Sequence, residues 1–163
     1  MEVFVDSLQK WIAAMVIGLC TLVHGSQASD ASFLYELAPE KIRGHGVYML
    51  FIPECPACRA QLADMMQLTN HFQAPFGLIT RQDSRLLNDV LDEHGFQGHI
   101  TLDPSGSVIR HFGLYLVPSW VFVNYDGQVV GLYDSILTVD ELLTLMRLFE
   151  QQEVLPTLAE LRN

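Results

Sequence analysis

The chain has 163 residues, half of them apolar, with nineteen acidic against nine basic side chains and a formal net charge of −10. That length and composition suit one globular domain with a core of its own. Without a Lys/Arg cluster anywhere, the charge argues against nucleic acid and anionic membrane surfaces as partners.

The first stretch, "MEVFVDSLQKWIAAMVIGLCTLVHGSQASD", carries an apolar run from Trp11 to Val23, then small and polar residues with Ser26 and Ala28 spaced for signal peptidase. It reads as an export signal cleaved after Ala28. This divides the chain into a signal peptide (1–28), a domain (29–151) and a C-terminal tail (152–163). Glu2 and Asp6 stand where such a signal carries positive charge, and Lys10 is the one base before the run. The alternative is an uncleaved anchor, although a run of thirteen residues falls short of the roughly 20 that span a bilayer. Cys20 is apolar filler within this segment. Export leaves the mature chain with Cys55 and Cys58, in an oxidising compartment where a vicinal pair closes a disulfide unless something reduces it.

The turn-rich segment "DASFLYELAPEKIRGHG" follows as a lead-in. "VYMLFI" (47–52) is a continuous apolar run with β-branched and aromatic members, the pattern of a strand buried on both faces. From about Pro56 to Phe72, Leu62, Met65, Met66, Thr69 and Phe72 recur at helical spacing opposite Arg59, Asp64, Gln67 and Asn70, and Pro75 marks the end. "FGLIT" (76–80) is a second strand, followed by a short helix whose Leu86, Leu87, Val90 and Leu91 face the sheet and whose stop is Gly95. "HITLD" is a third strand, closed by an Asp103-Pro104-Ser105-Gly106 turn, with a helical turn over roughly 108–112. Two apolar runs then flank Tyr125-Asp126-Gly127, a hairpin signal. Thr138 and Glu141 form a capping box for the helix "VDELLTLMRLFEQQ". The tail "EVLPTLAELRN" has no evident place. Alternation first and a hairpin plus helix last predict an α/β domain with a central mixed β-sheet flanked by helices.

Chemistry concentrates in "FIPECPACRA" (51–60). Cys55 ends a strand-to-helix connection and Pro56 takes the first helical position, where proline is favoured. The Cys55 sulfur then lies beside unpaired N–H groups at the positive end of the helix, which favours the reactive thiolate. Cys58 sits one turn on along the same face, within reach of a disulfide, so the first cysteine attacks and the second resolves. Two alternatives stand beside this. Buried structural cysteines have no need of a proline at a helix start. A zinc site needs about four ligands, whereas no second CxxC or HxxxH exists and His45, His71, His94, His99 and His111 are scattered singly. In "YLVPSWVFVN", Pro118 precedes a strand, as a residue that donates no ladder hydrogen bond must. A cis Val117–Pro118 bond there would turn the chain and leave the Val117 backbone free to pair with a peptide lying across the cysteines. Met49, Met65 and Met66 near the pair suit core filling better than soft-metal binding.

The segments "VYMLFIPECPACRAQLADMMQL" and "VLDEHGFQGHITLDPSGSVIRHFGLYLVPSWVFVNYDGQVV", in that order, resemble a thioredoxin-fold protein of the exported TlpA/ResA type of thiol-disulfide oxidoreductase. The resemblance covers about Gly46 to Phe149, and residues 76 to 95 fit the extra strand-helix insertion of that family. It implies a redox-active enzyme with Cys55 as nucleophile, Cys58 as resolving thiol and Pro118 as cis proline, with Val117, Pro56 and Ala57 on the substrate side. No cofactor or metal is implied. The expected partners are protein thiols or disulfides, with a membrane electron donor if the direction is reductive. Glu54 stands where members carry an aromatic, and a carboxylate there would raise the Cys55 pKa against the helix dipole. Relatives place an acidic proton acceptor behind the pair, and "VYMLFI" offers none. The alternative function is a non-catalytic exported subunit of a secretion or conjugation apparatus, its apolar tail docking on another chain.

Overall fold

In the computed structural model, which describes residues 35–36, 42 and 44–163, the elements run β1 (Tyr35–Glu36), β2 (Gly46–Leu50), α1 (Pro56–Leu68), β3 (Phe76–Thr80), α2 (Arg85–His94), β4 (His99–Leu102), α3 (Ser107–His111), β5 (Ser119–Val123), β6 (Val129–Tyr133), α4 (Val139–Glu150) and α5 (Leu158–Leu161). The signal or anchor expected over 1–28 lies outside the described residues. Among the described residues no helix is long and apolar enough to cross a membrane.

The strands form one six-stranded mixed sheet in the order β1-β4-β3-β2-β5-β6, parallel up to the β2 to β5 pairing and antiparallel from there. β2 is buried at all five positions because both faces of the sheet are covered. Val47, Met49 and Phe51 join a large core with Leu62 and Met65 of α1, Leu87, Val90 and Leu91 of α2, and Leu142, Leu145, Met146 and Phe149 of α4. Tyr48 and Leu50 point the other way, into a smaller cluster with Ile79, Val121, Val123, Leu114, Ile42 and Val108 of α3. This is the alternation that a strand's period of two produces, with both halves apolar.

Several boundaries differ from the sequence expectation, each for a local reason. The α-helix expected to reach Phe72 stops at Leu68 and tightens into a 3₁₀ turn, Thr69–His71. There the Thr69 hydroxyl donates to Met66 O at 2.9 Å. Leu86, expected against the sheet, is exposed, because Leu87, Val90 and Leu91 already fill the stripe that one helical face presents. The lead-in contributes β1, whose two residues pair in parallel with Thr101 and Leu102 of β4. The C-terminal tail, left without a place by the sequence, finds one here. It folds back onto its own domain: Leu155, Leu158 and Leu161 pack against the large core, and the Tyr133 hydroxyl donates to Pro156 O at 2.7 Å.

Candidate active site

Cys55 is the N-cap residue of α1, with extended backbone (φ −83°, ψ 114°). Its Sγ accepts a hydrogen bond from the Cys58 N–H at 3.3 Å. A sulfur thus fills the place where Ser or Asp normally satisfies one of the N–H groups that a helix start leaves without partner. Pro56 at the first helical position has no N–H to satisfy. Cys55 is half-buried and Cys58 fully buried, and both are free thiols. Burial, and then the hydrogen bond with Cys55, push the Cys58 thiol up to about 12. The two sulfurs therefore differ in kind. One stands partly open at a helix start; the other is held protonated behind it.

Sheet register brings the second fragment to the same place. Leu50, the last residue of β2, pairs with Ser119, the first of β5, so the cysteine loop leaves the sheet where the Pro118 loop enters it. The Val117–Pro118 peptide bond is cis. Val117 is half-buried and packs, like Cys55, against the large core. Among the described residues, the Val117 N–H and C=O have no hydrogen-bond partner. The structure thus gathers Cys55, Pro56, Ala57, Cys58, Val117 and Pro118 at one end of β2 and β5. Glu54 is exposed and borders a groove of about 320 Å³ with Ile52, Pro53, Thr80, Arg81, Gln82 and Pro104. Arg59 donates through Nε to Pro53 O at 2.6 Å and so braces the loop backbone. Met49 and Met65 are fully buried in the core. Among the described residues, no group of three or more His, Cys, Asp or Glu side chains is placed to hold a metal ion.

Two polar features at this end escape the sequence reading. Gln61, one turn after Cys58 on the buried face of α1, is 2 % exposed. Its amide donates to Leu137 O at 2.6 Å and accepts from Leu137 N–H at 3.0 Å. A polar residue on an apolar helix face was the available signal. Asp134, just past β6, accepts from Leu116 N–H at 2.9 Å and more loosely from Tyr115 N–H at 3.4 Å. It also meets the hydroxyl of the fully buried Ser119. No local pattern around Asp134 announces it.

The model of the Redoxin family matches residues 31–141. The chain belongs to the Redoxin family. The redoxin's fold is similar to that of a secreted disulfide oxidoreductase of Mycobacterium tuberculosis homologous to E. coli DsbE (21% identity, 60% of this chain and 75% of that one, TM-score 0.51). It is also similar to StoA of Bacillus subtilis (16%, 69% and 87%, 0.53) and to a thio-disulfide isomerase of Thermus thermophilus (17%, 68% and 82%, 0.55). At those identities the likeness is one of fold, and the redoxin has the thioredoxin fold, a mixed sheet flanked by helices. No curated protein matches the sequence.

Proposed function

We propose that this thiol-disulfide oxidoreductase exchanges disulfides with protein substrates outside the cytoplasm, Cys55 attacking and Cys58 resolving. Acting as a reductant, the Cys55 sulfur attacks one sulfur of a substrate disulfide. A bond forms between Cys55 and that sulfur, the substrate S–S bond breaks, and the departing thiolate takes up a proton. Cys58 then gives up its proton and attacks Cys55, releasing the second substrate thiol and leaving a Cys55–Cys58 disulfide. Two electrons have passed to the substrate, and the same steps in reverse oxidise a dithiol. Burial keeps Cys58 protonated until its turn; its hydrogen bond with Cys55, the second cause of the raised pKa, changes once Cys55 is in the mixed disulfide.

The observation that carries this reading is the asymmetry of the pair, a half-exposed N-cap sulfur with a sealed thiol one turn behind. The unpartnered Val117 backbone beside it, among the described residues, supports a backbone-paired substrate. An oxidising compartment fits a mature chain with one vicinal pair, and the Mycobacterium tuberculosis neighbour is described as secreted. In the reducing direction a membrane electron donor must restore the dithiol. The test is trapping: Cys58→Ser should accumulate mixed disulfides with other proteins through Cys55, and Cys55→Ser should accumulate none. Absence of adducts with Cys58→Ser would overturn the proposal. Equilibration with glutathione gives the direction, a potential near about −120 mV marking an oxidant and near about −270 mV a reductant.

A further inference from the structure

Among the described residues, no hydrogen bond ties the loop that carries Val117 and Pro118 to the cysteine helix. The loop backbone is gripped from the far side of the hairpin by a single carboxylate. Asp134 Oδ1 accepts from Leu116 N–H at 2.9 Å, and both its oxygens lie 3.4 Å from Tyr115 N. Ser119, first residue after the proline, places its hydroxyl between Leu116 O at 2.5 Å and the same carboxylate. Asp134 therefore grips Pro118 from both sides, through residues 115–116 before it and 119 after it.

The segment bearing Asp134 is itself anchored. Gln61 of α1 holds both backbone groups of Leu137. Arg162 donates to Ile136 O at 3.0 Å from the C-terminal tail. The cysteine helix therefore holds Leu137 through Gln61, and Asp134, three residues back along the same backbone, holds the proline loop. Tyr115 and Leu116, the residues so held, are exposed at 87% and 57%. Neither has packing enough to fix this loop, and charge-assisted bonds to backbone N–H groups are the stronger kind of hydrogen bond.

We propose that Asp134 is a positioning residue for substrate: it holds the Tyr115–Val117 backbone where a peptide pairs with it, at a fixed offset from Cys55. This rests on the reading of Val117 as the substrate-pairing residue. Asp134 takes no part in electron transfer. Its loss acts on binding of an extended peptide, and the chemistry of the dithiol is left to the α1 N-terminus.

The experiment is steady-state reduction of a peptide disulfide by wild type, Asp134→Ala and Asp134→Asn, with the potential of each measured against glutathione. Turnover by wild type, as reduction of the peptide disulfide or oxidation of its dithiol, is the control: its absence in both directions sinks the proposed function and says nothing specific about Asp134. With turnover present, Asp134→Ala should raise KM about tenfold, equivalent to about 1.4 kcal/mol, with kcat within about twofold and the potential shifted by less than the roughly 30 mV that a tenfold change represents. Asp134→Asn keeps an acceptor for Leu116 N–H and should fall between the two. An unchanged KM in Asp134→Ala overturns the proposal, as does a shifted potential, which would place Asp134 in the electrostatics of the thiols. If Asp134→Ala fails to fold, Asp134→Asn and Ser119→Ala decide by the same split: raised KM at constant potential supports the role, and wild-type KM in both overturns it.

Discussion

A thiol buried as deeply as Cys58 must affect stability as well as catalysis. Burial raises its pKa from about 9 to about 12, so the folded state holds this proton more tightly than the unfolded state does. The contribution to stability is complete below about pH 9, falls as the pH climbs above that value because the unfolded chain alone can ionise, and is lost by about pH 12. Tyr133 is raised to about 12 from 10, also by burial, and adds a similar loss that starts a unit later. We therefore expect denaturant midpoints of the reduced protein to fall between pH 9 and 10. Cys58→Ala, whatever its own stability at pH 7, should flatten the curve in that interval; a slope equal to wild type would show that Cys58 ionises normally. Glu54 is the counter-example at this scale. Its sequence signal, an acid beside the nucleophile, is plain, yet the side chain is exposed. Among the described residues it forms no ion pair.

At the level of elements, local rules written into the sequence carry most of the boundaries. Pro56 after Cys55, Ser84 before Leu87, Gly95 in the left-handed conformation (φ 63°) and the Thr138/Glu141 box all sit where they start or stop a helix. The same box recurs at Thr157 and Glu160, at the head of α5. It was legible as T-x-x-E in "TLAE", but only four residues of helix follow, too few to show a period. What sequence could not show is pairing between distant segments: β1 exists because Leu102 lies alongside it, and Gln61 meets Leu137, 76 residues away. One stop is poorly chosen. Helix α4 ends in a Schellman motif, Glu153 N–H to Leu148 O at 2.9 Å and Gln152 N–H to Phe149 O at 3.1 Å, with Gln152 at φ 57°. A side chain in that conformation costs about 1–2 kcal/mol, part of which glycine's greater unfolded-state entropy offsets. Gln152→Gly should therefore stabilise the protein by about 0.5 kcal/mol, a rise in Tm of roughly 1–2 °C, and a lower Tm would mean that the Gln152 side chain makes a contact worth keeping.

Over the whole molecule, the question left by the sequence was whether the apolar tail serves this chain or another. Two kinds of contact hold it, and their magnitudes separate. Arg162 Nε donates to Glu141 Oε1 at 2.7 Å, and that bond is the main reason Glu141 sits below the usual carboxylate range. The Arg162 side chain is 45% exposed, so in water the pair contributes at most about 1 kcal/mol. Leu155, Leu158 and Leu161 are half-buried against the large core, and at about 1 kcal/mol each they supply about 3 kcal/mol together. Leu155 also covers Gly131 of β6, where an added Cβ would lie 2.6 Å from its Cδ1. Deleting residues 153–163 should thus lower stability by about 3 kcal/mol and Tm by roughly 6–12 °C, whereas Arg162→Ala alone should cost under about 1 kcal/mol. The deletion should also weaken peptide turnover through KM, because Arg162 braces Ile136 within the segment that carries Asp134. A tail built to dock on a partner would behave differently: its removal would leave the midpoint of the isolated protein where it was, and that result would return the tail to the reading in which it binds another chain.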